Sequence, residues 1–222
     1  MKKSVLLTSR LAFLLLCATQ TTAQSRVPEN DVQSWNDIQL TIPLNKKIDF
    51  VMQGTIRFGG NLTTAVDERW GAGFNYKLNS YVSLNASYFN REARPPNGRR
   101  EQEIRATLGV TLQTTLGKFT LSDRNGFERR WRDPQVDSWR YRNRLRLEHP
   151  FSIDKTKFNW FISDEVFYDW SLNDWARNRA AVGANHAFNK HFTGELYYMR
   201  QNDGHTRPGD IHIIGTVMRL KL

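Results

Sequence analysis

From Ser138 to Pro150 the chain reads Ser-Trp-Arg-Tyr-Arg-Asn-Arg-Leu-Arg-Leu-Glu-His-Pro. Arg140, Arg142, Arg144, Arg146 and Glu148 share one parity; Trp139, Tyr141, Leu145 and Leu147 share the other. A β-strand throws successive side chains to opposite faces, so this stretch is a strand with one charged face and one apolar face. The same alternation recurs. In 48–58, Ile48, Phe50, Met52, Ile56 and Phe58 oppose Asp49, Gln53, Thr55 and Arg57. In 68–78, Trp70, Ala72, Phe74, Tyr76 and Leu78 oppose Arg69, Asn75 and Lys77. In 101–114, Ile104, Ala106, Leu108, Val110 and Leu112 oppose Glu103, Arg105, Thr107, Thr111 and Gln113. Segments of about ten alternating residues between turn signals are the pattern of a transmembrane β-barrel, apolar toward lipid and polar toward the lumen. The expected fold is all-β: an antiparallel meander transmembrane barrel of ten to twelve strands. Eleven strands are read, at about 32–43, 48–58, 68–78, 81–91, 101–114, 118–131, 137–149, 157–169, 175–187, 191–201 and 210–222.

Hydropathy alone points the other way. Charged residues make up 24% of the 222 and mean hydropathy is −0.61. No apolar run reaches the roughly 18–20 residues of a spanning helix. Barrel strands escape such a count because lumen-facing residues dilute lipid-facing ones. Residues 1–24 read as an export signal: Lys2, Lys3 and Arg10 form a basic start, Leu11 to Ala18 an apolar core, and Thr21-Thr22-Ala23 a small-residue cleavage site. Residues 25–222 then form one barrel domain of the outer membrane. Cys17, the one cysteine, lies inside the signal, so disulfide and thiol chemistry are not expected. Removing the signal leaves 29 of the 32 basic residues against 22 acidic ones. Arginines on strand faces are not a nucleic-acid motif; lipid head groups and small anionic solutes are the expected partners.

The connections alternate, with short ones at Asn45-Lys46-Lys47, Asn79-Ser80, Leu116-Gly117 and Asn189-Lys190, and 150–156 in the same series. Those at 59–67, 91–100, 132–136, 170–174 and 202–209 are mostly longer and more polar. Trp35, Trp70, Trp131, Trp139, Trp170 and Trp175 fall where strands meet the longer loops. Tyr81, Phe119, Phe151, Phe158, Trp160, Phe188 and Phe192 fall near the short turns. Two aromatic girdles are expected from this sorting. Parity breaks at Asp123–Asn125 and at Asp164, which points to bulges. Eleven strands also sit awkwardly with the even numbers usual in single-chain bacterial barrels. Either 32–43 is not a full crossing, or a strand is split or missed.

The lumen-facing set carries whatever chemistry there is. By parity it holds Arg57, Arg69, Glu103, Arg105, Arg124, Glu128, Arg130, Arg140, Arg142, Arg144, Arg146, Glu148, Glu165, Arg179 and Glu195. Interleaved Arg and Glu fill a narrow lumen with bidentate pairs, because an unpaired charge there is costly. The alternative reading of the same arginines is an anion path, with the column as its selectivity surface. Basic residues of the longer loops, Arg91, Arg94, Arg99, Arg100, Arg129 and Arg132, match lipopolysaccharide phosphates. His149, His186 and His212 share parity with lipid-facing residues, and no Gly-x-Ser-x-Gly motif occurs, so a catalytic Ser-His pair is not expected. His186 and His191, five apart around a turn, make no metal site, and no cofactor motif is found.

The chain resembles the bacterial domain-of-unknown-function family 2490. The likeness is carried by Trp35 and its strand, by Trp139-Arg140-Tyr141-Arg142-Asn143-Arg144-Leu145-Arg146, and by Ser163-Asp164-Glu165-Val166-Phe167. Arg177-Asn178-Arg179 and Glu195-Leu196-Tyr197-Tyr198-Met199-Arg200-Gln201 add to it. The resemblance implies an outer-membrane barrel with no assigned activity and no catalytic residues to carry over; the barrel-assembly machinery is expected as a partner of any such barrel. The expected role is non-enzymatic: a structural barrel or a narrow anion-leaning pore. Two alternatives are a lipid-modifying enzyme and a soluble barrel with its faces inverted around an apolar ligand.

Overall fold

The computed structural model describes residues 29–94 and 98–222. The export signal expected at 1–24, with Cys17, and residues 95–97 of the 91–100 connection lie outside them. Eleven strands are seen among the described residues: β1 (Asn30–Pro43), β2 (Ile48–Gly59), β3 (Thr64–Lys77), β4 (Val82–Ala93), β5 (Glu101–Leu116), β6 (Phe119–Asp133), β7 (Ser138–Ile153), β8 (Thr156–Asp169), β9 (Asp174–Ala187), β10 (Phe192–Asp203) and β11 (Asp210–Lys221). Each pairs antiparallel with its sequence neighbours, and β1 pairs with β11 to close the barrel.

The closing pair is parallel and runs without a shift from Asn30↔Asp210 to Thr41↔Lys221. That resolves the odd count. In an up-and-down meander of eleven strands the first and last point the same way, so their seam is parallel and β1 is a full crossing. The fold is an antiparallel meander with one parallel joint.

The bulges expected at Asp123–Asn125 and Asp164 are not there. Register runs unbroken through Leu112↔Asp123, Val110↔Asn125 and Leu145↔Asp164. The shifts fall instead at Arg57/Phe58 and at Phe167/Tyr168. Asp123, Asn125 and Asp164 break the polarity pattern because polar residues occupy outward positions, not because the backbone changes phase.

The turns show how the sequence ends its strands. Three short connections repeat one device, in which Asn45, Asn79 and Asn189 each accept from two backbone N–H groups further along the turn, at 2.8–2.9 Å. Such side-chain capping is what favours Asn there. β7 continues past Pro150 to Ile153, where a two-residue turn carries Asp154 at φ 52°. Pro150 is tolerated because β6 stops pairing at Thr120↔Glu148, so the missing N–H falls on a free edge.

The faces are the reverse of a water-soluble protein's. Glu103 and Glu128 are 2% and 1% exposed, whereas Leu108 and Trp70 are 68% and 62% exposed. Apolar residues on an outer wall and carboxylates inside are stable when the surrounding solvent is lipid. A soluble barrel around an apolar ligand requires the opposite arrangement.

Candidate functional site: an arginine-lined lumen

The inward positions of β3 to β9 build one continuous ion-pair network. Asp67 accepts from Arg69 at 2.5 Å and from Arg91 at 2.6 Å. Glu103 meets Arg105 at 2.6 Å and Arg130 at 2.9 Å, and Arg130 reaches on to Asp169 at 2.8 Å. Glu128 meets Arg140 at 2.5 Å, with Arg105 at 3.6 Å and Arg142 at 3.8 Å. Glu165 takes Arg142 at 2.5 Å and Arg179 at 3.3 Å. A second group lies toward the short-turn end, where Glu195 meets Arg146 at 2.8 Å and Arg219 at 3.1 Å, and Arg146 also holds Glu148 at 2.5 Å. Sharing each carboxylate among two or three guanidiniums leaves few buried lone pairs unmet, which burying charge requires.

Three inward arginines away from the long-loop rim stand outside these ion pairs. Arg57, Arg124 and Arg144 have no carboxylate within ion-pair distance among the described residues; Arg132, at the long-loop rim, also lacks one but is held by the Val136 carbonyl and Ser171 Oγ. Arg124 and Arg144 face each other directly across β6 and β7. Arg57 lies 9% exposed with its Nε unbonded, and its guanidinium stacks 3.4 Å above the Trp35 ring.

Trp35 departs from the expectation that it belongs to a girdle. It is 3% exposed and points into the lumen, because β1 presents its odd residues inward. Its indole N–H donates to Gln33 Oε1, Gln33 donates to Asp31, and Asp31 accepts from the backbone of Gly60 and Asn61. With Phe161, Ala181, Tyr197, Ile211 and Ile213 it forms an apolar cluster along the β1 and β8–β11 side of the lumen. Sequence reading missed this cluster, although parity along β11 would have turned Ile211 and Ile213 inward.

The lumen is divided. A cavity of about 630 Å³ opens toward the long loops and one of about 260 Å³ toward the short turns. Trp35, Arg57, Arg69, Arg91, Glu103, Arg105, Arg142 and Arg179 border both and form the waist. Ten arginines line the inner cavity against five carboxylates, Asp37, Glu103, Glu128, Glu165 and Glu195.

Trp70, Trp131, Trp139, Trp170 and Trp175 sit exposed on the outer wall at the long-loop end. Arg129 lies between Trp131 and Trp139, 5.7 and 5.6 Å from their rings. At the opposite rim Phe151, Phe158, His186, Phe188 and Phe192 form a chain of ring contacts. Of the longer-loop arginines, Arg91 turns inward onto Asp67, whereas Arg94 and Arg100 share Glu92 at the rim. Among the described residues, His186 meets the Lys157 carbonyl, His191 the Lys221 carbonyl, His205 Asp174 and His212 Tyr198, and His149 lies against the Phe119 and Trp160 rings.

An apolar outer wall rimmed by aromatics around a charged, cavity-bearing lumen defines the class of transmembrane β-barrels. Within it, the chain belongs to the family described as protein of unknown function (DUF2490), which it matches over residues 32–211. No curated protein matches the sequence. Among solved structures, it is similar to an anion-selective porin from Comamonas acidovorans, with 15% identity, TM-score 0.40, and coverage of 81% of this chain and 53% of the porin. The chain thus spans about half the length of that porin. It is also similar to LpxR from Salmonella typhimurium (8% identity, TM-score 0.48, 78% of this chain and 83% of LpxR). The KdgM porin matches at 9% identity and TM-score 0.43, over 78% of this chain and 90% of the porin.

Proposed function

We propose that this chain is an exported, non-enzymatic outer-membrane barrel whose lumen passes or holds small anions. The observation that carries this reading is the facing pair Arg124 and Arg144, two guanidiniums with no carboxylate partner among the described residues, on the wall of the inner cavity. Like charges placed directly opposite on neighbouring strands destabilise a sheet. A solute anion between them relieves that repulsion, and the surplus of arginine over carboxylate raises the local concentration of anions. In this reading the ion-pair network is the rigid frame and the unpaired arginines are the contact surface. Outer-membrane lipid surrounds the wall, lipopolysaccharide phosphates meet Arg94 and Arg100 at the long-loop rim, and the barrel-assembly machinery inserts the chain.

Planar-bilayer conductance of the refolded protein under a salt gradient tests the proposal. Discrete channels with an anion-selective reversal potential are expected. Arg124→Gln with Arg144→Gln should move that potential toward zero while raising stability by roughly 0.2–1 kcal/mol, the scale of a relieved cross-strand repulsion. An unchanged potential in the folded double variant would remove these two residues from the anion path. Absence of conductance, together with no protection of the barrel by phosphate or carboxylate salts, would assign the lumen to structure alone.

A further inference from the structure

The outer wall is not uniform. On β6 to β9 its middle carries Asp123, Asn125, Asn143, Asp164 and Asn178, all at outward positions. Asp123 and Asn125 lie midway along β6 between Phe119 at one rim and Trp131 at the other; Asp164 lies midway along β8 between Phe158 and Trp170. The groups form two hydrogen-bonded sets. Asn143 Nδ2 donates to Asp123 Oδ1 at 2.5 Å and to Asn125 Oδ1 at 3.0 Å, and Asn125 Nδ2 donates to Asp123 Oδ2 at 3.1 Å. Asn178 Nδ2 donates to Asp164 Oδ1 at 2.8 Å, leaving Asp164 Oδ2 without a partner among the described residues. No arginine or lysine among the described residues pairs with either aspartate. Leu145 separates the sets, being opposite both Asp123 and Asp164 in register. The wall on β3 to β5 supplies the comparison, since at the same depth it presents Ala72, Phe74, Ala86, Leu108 and Val110.

Carboxylates and amides facing hydrocarbon are unfavourable unless something polar covers them, and lipid head groups do not reach mid-depth. We infer that the β6–β9 wall is an intramembrane interface occupied by a second copy of this chain. A twofold axis along the membrane normal returns every group to its own depth, so the partner brings the same polar sets to the same level. Asn125 and Asn178 each use one amide hydrogen within their sets and keep the second for the partner's aspartates, while Asn143, both of whose amide hydrogens are taken, offers its carbonyl oxygen as an acceptor. The extent is adequate. Four strands at ~4.8 Å spacing and an apolar band ~25 Å tall give roughly 480 Å² per copy, or about 950 Å² for the pair, close to the ~1,000 Å² of a specific interface. The inference rests on the membrane-spanning reading and is independent of whether the lumen conducts.

Single cysteines in a Cys17→Ser background test it. In lipid nanodiscs or outer membranes, oxidation of Leu145→Cys should give a covalent dimer, and Leu108→Cys on the comparison wall should not. Adding Asp123→Leu, Asn143→Leu and Asp164→Leu should reduce the Leu145→Cys dimer to the Leu108→Cys level. Those changes suit a lipid-facing wall and should preserve folding, seen as heat-modifiable migration. Light scattering of the unmodified protein in detergent should give twice the chain mass. Leu145→Cys remaining monomeric in folded protein overturns the inference, as does its capture by a different protein with no self-linkage. Reaction of the Leu108→Cys thiol with a membrane-impermeant maleimide in folded nanodisc protein would instead remove the membrane-spanning reading.

Discussion

Glu128 is the residue on which the lumen network converges. It is 1% exposed and holds Arg140 at 2.5 Å, with Arg105 and Arg142 within 3.8 Å. Arg105 keeps Glu103 and Arg142 keeps Glu165, but Glu128 is the carboxylate on which Arg140 depends. Glu128→Gln preserves shape and removes the charge, leaving the Arg140 guanidinium buried and uncompensated. The expected loss is about 3–5 kcal/mol, the cost of breaking a buried pair from one side, read as a lowered urea midpoint in detergent micelles. Replacing Glu128 and Arg140 together with Met and Leu should recover most of it, because no orphan charge remains. Parity turns Glu103, Arg105, Glu128, Arg130, Arg140, Arg142, Glu165 and Arg179 inward, but Asp67 and Arg91 read as connection residues and only the longer β3 and β4 bring them into the network. Pairing is not legible: Arg105 and Arg144 look alike in their own strands, yet cross-strand register gives one two carboxylates and leaves the other facing Arg124. Which acid sits beside which arginine depends on strands far apart in sequence.

At the scale of elements, β10 and β11 show how closely the apolar side of the lumen is packed. The Tyr197 ring lies over Gly215, where an added Cβ would fall 2.0 Å from Tyr197 Cζ. Tyr197 is 8% exposed within the cluster around Trp35, Phe161 and Ile213, so it has little room to move aside. Gly215→Ala should therefore cost about 1–3 kcal/mol, the range for overpacking a filled interior. Tyr197→Leu in the same chain should restore part of the loss, and heat-modifiable migration in SDS checks both. Strand positions are readable from the chain because the period of two survives in β2, β3, β5 and β7. Three readings fail for identifiable reasons. Trp35 lies near a strand start, which suggests a rim residue, although its parity matches Gln33 and Asp37, which also face inward. The proline at 150 suggests a strand end, but a free edge accepts it. The polar residues at 123, 125 and 164 imitate a change of phase because their reason for being polar lies outside the single barrel.

The parallel β1–β11 seam has its consequence at the scale of the whole molecule. With eleven crossings, the start of β1 lies at the long-loop end and the end of β11 at the short-turn end. Glu29 is bound there: its carbonyl accepts from the N–H groups of Gly209 and Asp210, beside the 204–209 loop. In an even-numbered meander both ends would share one side. If the long loops face the cell exterior, as is usual for these barrels, an epitope inserted just ahead of Glu29 should bind antibody on intact cells, as should one placed in the 204–209 loop. An epitope appended after Leu222 should bind only after the outer membrane is permeabilised. Staining of the loop epitope without the Glu29 epitope would mean that β1 does not cross in this direction, and the barrel would then have to close through β2 and β11. Those two strands are antiparallel to each other, so that alternative is a ten-stranded barrel. It would also move Trp35 out of the lumen, releasing the stacked Arg57 and Arg179. Strand β1 thus sets the direction of the first crossing and brings Trp35 to the waist.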